Sequence, residues 1–135
     1  MWICAYKHKT IQRVEAMPDL IKTMKALSDE TRLRILNLLL ERECCVCEVM
    51  QALGISQTRA SRNLGILQDA GFLKARREGL WVLYSVDEEG IKRHPAALVR
   101  AVEKALEGNE LAIQDRERLK QAERIGPGCV RKSKK

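Results

Sequence analysis

The sequence predicts a mainly α-helical protein with one small β-hairpin, and three observations carry this prediction. Apolar residues recur at helical spacing through residues 18–71 and again from residue 95 onwards. Residues 72–86 instead alternate around Glu78-Gly79, which is typical of two strands joined by a tight turn. The third observation is a cluster of cysteines within four residues: Cys44, Cys45 and Cys47. The predicted order is α-α-α-α-β-β-α, with the cysteines directly before the third helix.

Two helices are predicted ahead of the cysteines. Pro18 fits the first position of a helix, because its ring presets φ and the missing N–H would have no helical partner there. Ser28 is predicted to cap the second helix, which runs from Thr31 to Glu41. The apolar face of the second helix is predicted to consist of Ile35, Leu36, Leu39 and Leu40. This face is wide enough for burial on more than one side.

A short helix, a turn and another helix follow the cysteines. Gly54 is predicted to end the first of these helices and Ser56 to cap the second, in which Ala60, Leu64 and Leu67 face the core. A helix-turn-helix of this kind projects its second helix into the major groove of DNA. The open face of that helix carries donors suited to base edges and phosphates: Gln57, Thr58, Ser61 and Arg62, with Arg59 at its edge.

The hairpin is predicted to extend this DNA-binding surface as a wing. Arg76 and Arg77 lie near its tip, where they are expected to contact the DNA backbone. Val82, Tyr84 and Val86 alternate along the second strand and are predicted to form its buried face.

Composition narrows the classes of partner and the compartment. The chain of 135 residues has a formal net charge of +7, which favours a polyanion such as nucleic acid. No run approaches the roughly 18 apolar residues that a membrane span requires. Lys7 and Lys9 interrupt the N-terminal apolar run too early for a signal peptide. We therefore expect a cytoplasmic protein with reduced thiols and no membrane partner.

Three segments are predicted along the chain. Residues 1–17 form an N-terminal extension, residues 18–124 a winged helix-turn-helix DNA-binding and dimerisation domain, and residues 125–135 a basic disordered tail. The helix after Pro95 carries an apolar stripe with small residues: Leu98, Ala101, Val102, Ala105 and Leu106. This stripe suits close approach by the same helix of a second copy, and symmetric half-sites on DNA favour such a homodimer. Packing within one chain would account for the stripe equally well.

The cysteine cluster predicts a site for a soft metal or metalloid ion, because thiolates select arsenite, antimonite, cadmium and lead. In a regular helix, Cys45 and Cys47 would point to nearly opposite sides, at about 100° per residue. An ion held by Cys44, Cys45 and Cys47 would therefore fix or unwind the start of the helix that leads into the turn. Three sulfurs match trigonal arsenic(III) or lead. A fourth, for tetrahedral cadmium or zinc, would have to come from Cys4 or Cys129.

Other uses of the thiols remain open. Cysteines can be small buried hydrophobes, although that accounts poorly for three in four residues. A thiol redox switch would respond to oxidants instead of ions. Catalysis is not expected, since His8 and His94 lie far apart without a paired acid, and both are predicted to be at the surface.

Five segments together resemble a known family. They are Leu27-Ser-Asp-Glu-Thr-Arg-Leu-Arg-Ile-Leu36, Cys45-Val-Cys47-Glu, Ser56-Gln-Thr-Arg-Ala-Ser-Arg62, Gly71-Phe-Leu73 and Gly79-Leu-Trp-Val-Leu-Tyr84. The chain resembles the ArsR/SmtB family of bacterial metal-responsive repressors over residues 18–107. The resemblance implies a winged helix-turn-helix homodimer, joined through its first and last helices, which represses a resistance operon until an ion releases it from DNA.

The resemblance also implies particular site residues. Cys45 and Cys47 match the family's paired thiol ligands, and the DNA-binding residues named above match its recognition helix and wing. The Cys-Val-Cys element resembles the arsenic/antimony branch, which implies As(III) or Sb(III) as inducer and no permanently bound cofactor. With Cys4 it also resembles the cadmium/lead branch. Met50 stands where the arsenic branch often has a third cysteine, so Cys44 is expected to be the third ligand.

Overall fold

The structure is a computed structural model that describes residues 17–125, which form seven helices and three short strands. The helices are α1 Met17–Leu27, α2 Glu30–Glu41, α3 Val46–Leu53, α4 Gln57–Asp69, α5 Glu88–Ile91, α6 Ala96–Glu107 and α7 Glu110–Gln121. The strands are β1 Cys44–Cys45, β2 Leu73–Glu78 and β3 Trp81–Val86. The predicted mainly helical fold with a hairpin is confirmed. Strand β1 and the short helix α5 were not predicted, and the single helix predicted after the hairpin is divided into α6 and α7.

The predictions for the two ends of the chain fall outside the described residues. These predictions concern Cys4, His8, Cys129, most of the N-terminal extension and nearly all of the basic tail. Within residues 17–125, no helix combines the length and the apolar character needed to cross a membrane.

The three strands form an antiparallel sheet with the order β1-β3-β2. Cys44 pairs with Tyr84, and Cys45 pairs with Leu83. Because consecutive strand residues point to opposite faces, the two adjacent cysteines lie on opposite sides of this sheet. Cys44 packs into the main core with α2, α3 and α4, whereas Cys45 joins a separate small cluster with Cys47 and Leu83.

Helix α2 differs from its prediction at its start and on its buried face. Its N-cap is Asp29 and not Ser28, and the Asp29 carboxylate accepts a hydrogen bond from the backbone N–H of Arg32 at 3.1 Å. Leu38 is fully buried, whereas Leu40 is 40% exposed. Several elements pack around this helix, so spacing alone did not identify its buried face correctly. The prediction included the exposed Leu40 and omitted the buried Leu38.

The buried face of strand β3 was predicted only in part. Tyr84 and Val86 pack against the main core but are half-buried, as is Val82, and Leu83 on the opposite face is the fully buried residue of the strand. The prediction assumed a sheet with one solvated face. Here the face that carries Leu83 is also covered, by the start of α3 and by the chain that follows α7.

His94 is buried, contrary to its predicted surface position. Its ring stacks on Phe72 with centroids 4.4 Å apart, and its Nε2 lies 3.0 Å from the carbonyl oxygen of Ala70. Its Nδ1 lies 3.2 Å from the hydroxyl of Thr23, so the imidazole joins α1 to the end of α4. Its role in the fold is packing.

The two C-terminal helices have different surroundings. No residue of α6 is buried, although Leu98, Val102 and Leu106 form an apolar stripe that is half-buried. Helix α7, which begins at the N-cap Asn109, packs on α2 and α3 instead. The fully buried carboxylate of Asp115 fixes that packing, because it accepts hydrogen bonds from Arg34 at 2.7 and 2.9 Å.

Two glycines, one in the turn between α3 and α4 and one within α4, provide a matched pair of stability predictions. Gly54 has φ +68°, so Gly54→Ala is expected to destabilise the protein by roughly 1–2 kcal/mol through left-handed strain alone. Gly65 is helical with the same open space around it, and Gly65→Ala is expected to stabilise the protein by about 0.5–1 kcal/mol. Urea unfolding of both variants measures the two signs. Equal effects would contradict the role of the Gly54 backbone.

Candidate thiol centre and nucleic-acid interface

The structure brings two of the three clustered cysteines together. The Sγ atoms of Cys45 and Cys47 lie 2.8 Å apart, and both side chains are 1% exposed. Cys45 is the N-cap of α3 with an extended backbone, φ −94° and ψ 171°, and Cys47 lies in the first turn. The opposition expected for a regular helix therefore does not arise. The two thiols converge without any unwinding of α3.

Cys44 is not placed with this pair. Its side chain lies on the other face of the sheet, where its Sγ donates to the carbonyl oxygen of Arg42 at 3.4 Å. Burial, with a smaller contribution from the negative charge of Glu48, raises the pKa of the Cys44 thiol to about 12. A thiol that stays protonated in the core is a poor ligand. The expectation of Cys44 as the third ligand thus finds no geometric support.

Glu48 is the buried carboxylate beside the thiol pair. It accepts hydrogen bonds from the backbone N–H of Cys45 at 2.8 Å, from Arg42 at 3.0 Å and from Arg124 at 3.2 Å. Burial alone would raise the pKa of Glu48, but the Cys45 N–H and the Arg42 guanidinium outweigh it and hold the pKa below its usual range. Glu48 therefore fixes the backbone at the start of α3 while it is ionised.

The depressed pKa of Glu48 predicts a pH-dependent contribution to stability. Glu48→Gln is expected to lower the free energy of unfolding by about 1–3 kcal/mol at neutral pH, since the hydrogen bonds lose a charged acceptor. In the parent this contribution is present above the unfolded pKa of about 4.3 and is lost as pH falls through the lower folded pKa. The parent and variant stabilities, measured by urea unfolding from pH 7 to pH 3, should converge at the acid end. A constant difference would contradict the ionised Glu48.

The chain after α7 crosses directly over the thiol pair. We call residues 122–125 the strap. Gln51 on α3 holds it at both backbone groups of Glu123, donating to the carbonyl oxygen at 2.7 Å and accepting from the N–H at 3.1 Å. The indole N–H of Trp81 donates to the carbonyl oxygen of Ile125 at 3.2 Å, and Ile125 packs against the cluster around Cys45 and Cys47.

The strap shields the thiols from one side. The Sγ of Cys47 lies 3.8 Å from the carbonyl oxygen of Glu123. Arg124 reaches back to Glu48, so the strap and the start of α3 share one ion pair. Local sequence patterns did not reveal this arrangement, because it joins residues that are 44 to 76 positions apart.

The predicted recognition helix is α4, and its N-terminal part faces solvent. Ser56 caps it through a hydrogen bond from the backbone N–H of Arg59 to the hydroxyl at 3.2 Å. Ala60, Leu64 and Leu67 are fully buried as predicted. Ser61 is half-buried. The other predicted contact residues on this helix are exposed: Gln57, Thr58, Arg59 and Arg62. Arg59 also donates to the hydroxyl of Thr31 at 3.0 Å, so its guanidinium is oriented by α2.

The two wing arginines have different surroundings. Arg76 and Arg77 are consecutive in β2 and point to opposite faces of the hairpin. Arg76 makes a two-pronged ion pair with Glu43 at 2.8 and 2.9 Å. Arg77 is exposed near the tip of the hairpin. Of the two, Arg77 is better placed to contact a phosphate without first breaking an ion pair.

The comparisons with known proteins agree with this architecture. The family model described as the bacterial regulatory protein, arsR family, matches residues 29–75, from the N-cap of α2 into β2. A homodimeric winged helix-turn-helix DNA-binding domain from Mycobacterium bovis, described as a possible ArsR-family transcriptional regulator, is 33% identical with a TM-score of 0.56. That match covers 70% of this chain and 87% of the other. The chain belongs to the arsR family. This is a family of transcriptional regulators and not of enzymes, so the prediction of a non-catalytic protein is confirmed.

Two curated arsR-family relatives have names that refer to metal resistance. A cadmium resistance transcriptional regulatory protein CadC homolog from Staphylococcus aureus is 45% identical over 76 residues, which are 56% of this chain and 63% of the relative. The arsenical resistance operon repressor of Escherichia coli is 48% identical over 65 residues, which are 47% of this chain and 56% of the relative. The chain thus spans a little over half the length of each. The relatives therefore agree on metal resistance and differ in the ion.

Proposed function

We propose that this chain is a transcriptional repressor that binds operator DNA as a homodimer and leaves it when arsenite or antimonite binds Cys45 and Cys47. The observation that carries the proposal is the convergence of two thiols, 2.8 Å apart, at the N-terminus of α3. Among side chains, thiolates are the ones that prefer such soft ions. Operator DNA as the partner also implies that the protein works in the cytoplasm.

The fold offers a short path from the thiols to the DNA-binding surface. Cys45 caps α3, and only the turn at Gly54, Ile55 and Ser56 separates α3 from α4. The two helices pack directly on each other. An ion that pulls the two sulfurs to its preferred angles moves the first turn of α3 as a body, and α4 with it. A coupling of only about 1–3 kcal/mol between the sites would suffice for a large change in operator occupancy.

Charge and exposure support α4 and the hairpin as the DNA-binding surface. Polar donors at the exposed start of α4 are suited to base edges in the major groove. Arg62 on that helix and Arg77 on the wing are both exposed cations. Contacts from such side chains to phosphates fix the register of the protein on DNA.

An exposed apolar stripe on α1 and a half-buried one on α6 support the homodimer. Helix α1 exposes Met17, Ile21 and Met24, which lie on one face at helical spacing. Helix α6 has no buried residue, and its stripe of Leu98, Val102 and Leu106 is half-buried, with Leu98 and Val102 packed in part against the main core. Contiguous exposed apolar surface such as that on α1 marks an interaction site. The two-fold pairing of these helices would match operators with symmetric half-sites.

A cadmium- or lead-responsive repressor is the second candidate. It is favoured by the 45% identity to the cadmium resistance CadC homolog. Such a site needs further sulfur ligands besides Cys45 and Cys47, and Cys4 is one cysteine that would supply one.

A DNA-release titration distinguishes the candidates. The reduced protein, bound to a fluorescent duplex from its own upstream region, is titrated separately with arsenite, antimonite, cadmium, lead, zinc and peroxide while anisotropy is followed. The proposal predicts release by arsenite and antimonite at lower concentrations than by cadmium or lead. Release by peroxide and by none of the ions would instead favour a redox switch. No release by any of them would reject the sensor function.

A further inference from the structure

Arg32, near the start of α2, binds two other helices at once. Its guanidinium donates to the carbonyl oxygens of Ala26 at 2.8 Å and Lys25 at 3.0 Å, both in the last turn of α1. It also donates to the Oδ1 of Asn63 in α4 at 2.9 Å. The side chain of Arg32 therefore reaches from the end of α1 to the middle of the predicted recognition helix.

Asn63 is oriented to accept this hydrogen bond. Its side chain is buried, and its amide nitrogen donates to the carbonyl oxygen of Arg59 at 2.9 Å. Because the nitrogen is used in that bond, the amide oxygen faces Arg32. Asn63 directly follows Arg62, one of the predicted DNA contacts. A shift of Asn63 relative to α2 would therefore shift the exposed start of α4 as well.

A second hydrogen bond joins α2 to α4. The buried Thr31 precedes Arg32, and its hydroxyl accepts from the guanidinium of Arg59 at 3.0 Å. The partners on α4, Arg59 and Asn63, are four residues apart and therefore lie on one face of that helix. Two contacts that are one turn apart fix both the position of α4 on α2 and its rotation about its own axis.

Two further links between α1 and α4 lie at the C-terminal end of α4. Lys22 pairs with Asp69 at 3.3 Å, and both side chains are exposed. His94 connects the hydroxyl of Thr23 to the carbonyl oxygen of Ala70. An open groove of about 350 Å³ runs between the two helices. The start of α4, which carries the predicted DNA contacts, is held to α1 through the guanidinium described above.

The chemistry of arginine suits this bridge. A guanidinium is planar, stays protonated and presents five N–H donors in a fixed fork. The carbonyl groups in the last turn of a helix lack partners within that helix, so those of α1 are available to it. One rigid group thus sets the directions of three acceptors on two helices.

We propose that Arg32 is a positioning residue that sets the distance between the two recognition helices of the dimer, and hence the half-site spacing that the protein accepts. The proposal rests on the function proposed above, in which α1 contributes to the contact between the two copies and α4 enters the major groove. The path from one α4 to the other then runs through α1 and Arg32 of each copy. Dimers of this kind bind half-sites one helical turn or a multiple of it apart, so this path must keep a fixed length.

Duplexes that differ only in half-site spacing test this role. A fluorescent duplex from the upstream region of the gene is compared with duplexes that gain or lose one or two base pairs between the half-sites. Each base pair moves one half-site by roughly 3.4 Å along the DNA axis and about 35° around it. The parent is expected to bind the native spacing at least about tenfold more tightly than the altered spacings, because only one half-site is then contacted correctly.

Two variants break the bridge in different ways. Asn63→Ala removes the acceptor on α4, and Arg32→Lys keeps the charge without the fork. Each should remain a folded dimer by urea unfolding and sedimentation, and each decides the test by itself. Both are expected to bind the native spacing roughly 2–10-fold more weakly, as for the loss of one or two hydrogen bonds. Their preference for the native spacing should fall below about threefold, since α4 can then follow the altered half-site.

Two further variants serve as matched controls that should keep the parental preference. Asn63→Asp retains an acceptor for Arg32, and its added negative charge should weaken binding by one factor at every spacing. Asp69→Asn breaks the exposed ion pair with Lys22, which joins the same two helices but is worth little. Loss of the spacing preference in either control would overturn the role of Arg32.

The outcomes separate this inference from the function on which it rests. Variants that lose the same factor at every spacing, or lose none, would overturn the inference and leave the repressor function standing. Variants that become monomeric would also overturn it, because Arg32 would then belong to the dimer contact itself. If the parent shows no preference for any spacing, the proposed homodimer on symmetric half-sites fails, and this inference fails with it.

Discussion

Replacing Cys45 or Cys47 by serine is expected to abolish the response to arsenite and leave DNA binding intact. The parent should lose operator affinity by about 5–150-fold on ion binding, as a coupling of about 1–3 kcal/mol implies. Either serine variant should show less than about a twofold change, because a hydroxyl is a hard donor that a soft ion does not prefer. Operator affinity without arsenite should stay near the parent value, since neither side chain lies on the exposed face of α4. Anisotropy titrations of one duplex, with and without arsenite, measure both quantities.

Cys44→Ser is the matched control for these variants. It is a neighbouring cysteine with the same change in chemistry, yet it lies in the core on the other face of the sheet. The serine hydroxyl can still donate to the carbonyl oxygen of Arg42, as the thiol does. The control should retain the arsenite response. A control as unresponsive as Cys45→Ser would mean that the pair is not the sensing site.

The second large effect is expected at the recognition helix. Arg62→Ala should weaken operator binding by about 1–3 kcal/mol, roughly 5–150-fold, because it removes an exposed cation from the proposed DNA-binding surface. If Arg62 contacts a phosphate, the slope of log affinity against log salt should also fall by about one unit. If it reads a base, the loss should depend on one position of the operator.

Arg93→Ala serves as the charge-matched control for Arg62→Ala. Arg93 is exposed in the segment between α5 and α6, away from the helix-turn-helix and the hairpin in sequence. Arg93→Ala removes the same formal charge as Arg62→Ala and should change operator affinity by less than about twofold at physiological salt. Equal losses of operator affinity in both variants would show that only net charge matters. That result would remove the argument for α4 as the recognition helix.

Local signals predicted most of the fold. Gly54 ends α3 in a left-handed conformation and Ser56 caps α4 as expected, and the hairpin turns at Gly79-Leu80, one residue beyond the predicted Glu78-Gly79. These features depend on a few adjacent residues whose backbone preferences are strong. The misassigned cap at Ser28 was adjacent to the true one at Asp29, since both residue types suit the position. The predictions of which residues are buried were wrong where tertiary contacts cover a face that spacing alone treats as solvated.

The thiol centre could be predicted only in part, because its geometry depends on long-range contacts. The sequence indicated soft-ion ligands, and the family resemblance paired Cys45 with Cys47, although regular helical spacing predicted that they point to opposite sides. It could not show that Cys45 would be drawn into a strand by Leu83, which turns its sulfur towards Cys47 and away from Cys44. Nor could it place the strap, whose partners Gln51 and Glu123 are 72 positions apart. In the proposed function, an ion would therefore meet two converged thiols in an ordered site.

The most direct test of the account is thermodynamic. If ion binding at Cys45 and Cys47 is coupled to DNA binding, arsenite must bind the DNA-bound protein more weakly than the free protein. The factor must equal the one by which arsenite weakens DNA binding. Titration calorimetry of arsenite into the protein, with and without saturating operator duplex, measures that factor. The factor by which DNA weakens arsenite binding is expected to equal the factor by which arsenite weakens DNA binding, and both should lie within about 5–150-fold. Equal arsenite affinity in the free and the DNA-bound protein would contradict the proposed coupling, whatever the identity of the third ligand.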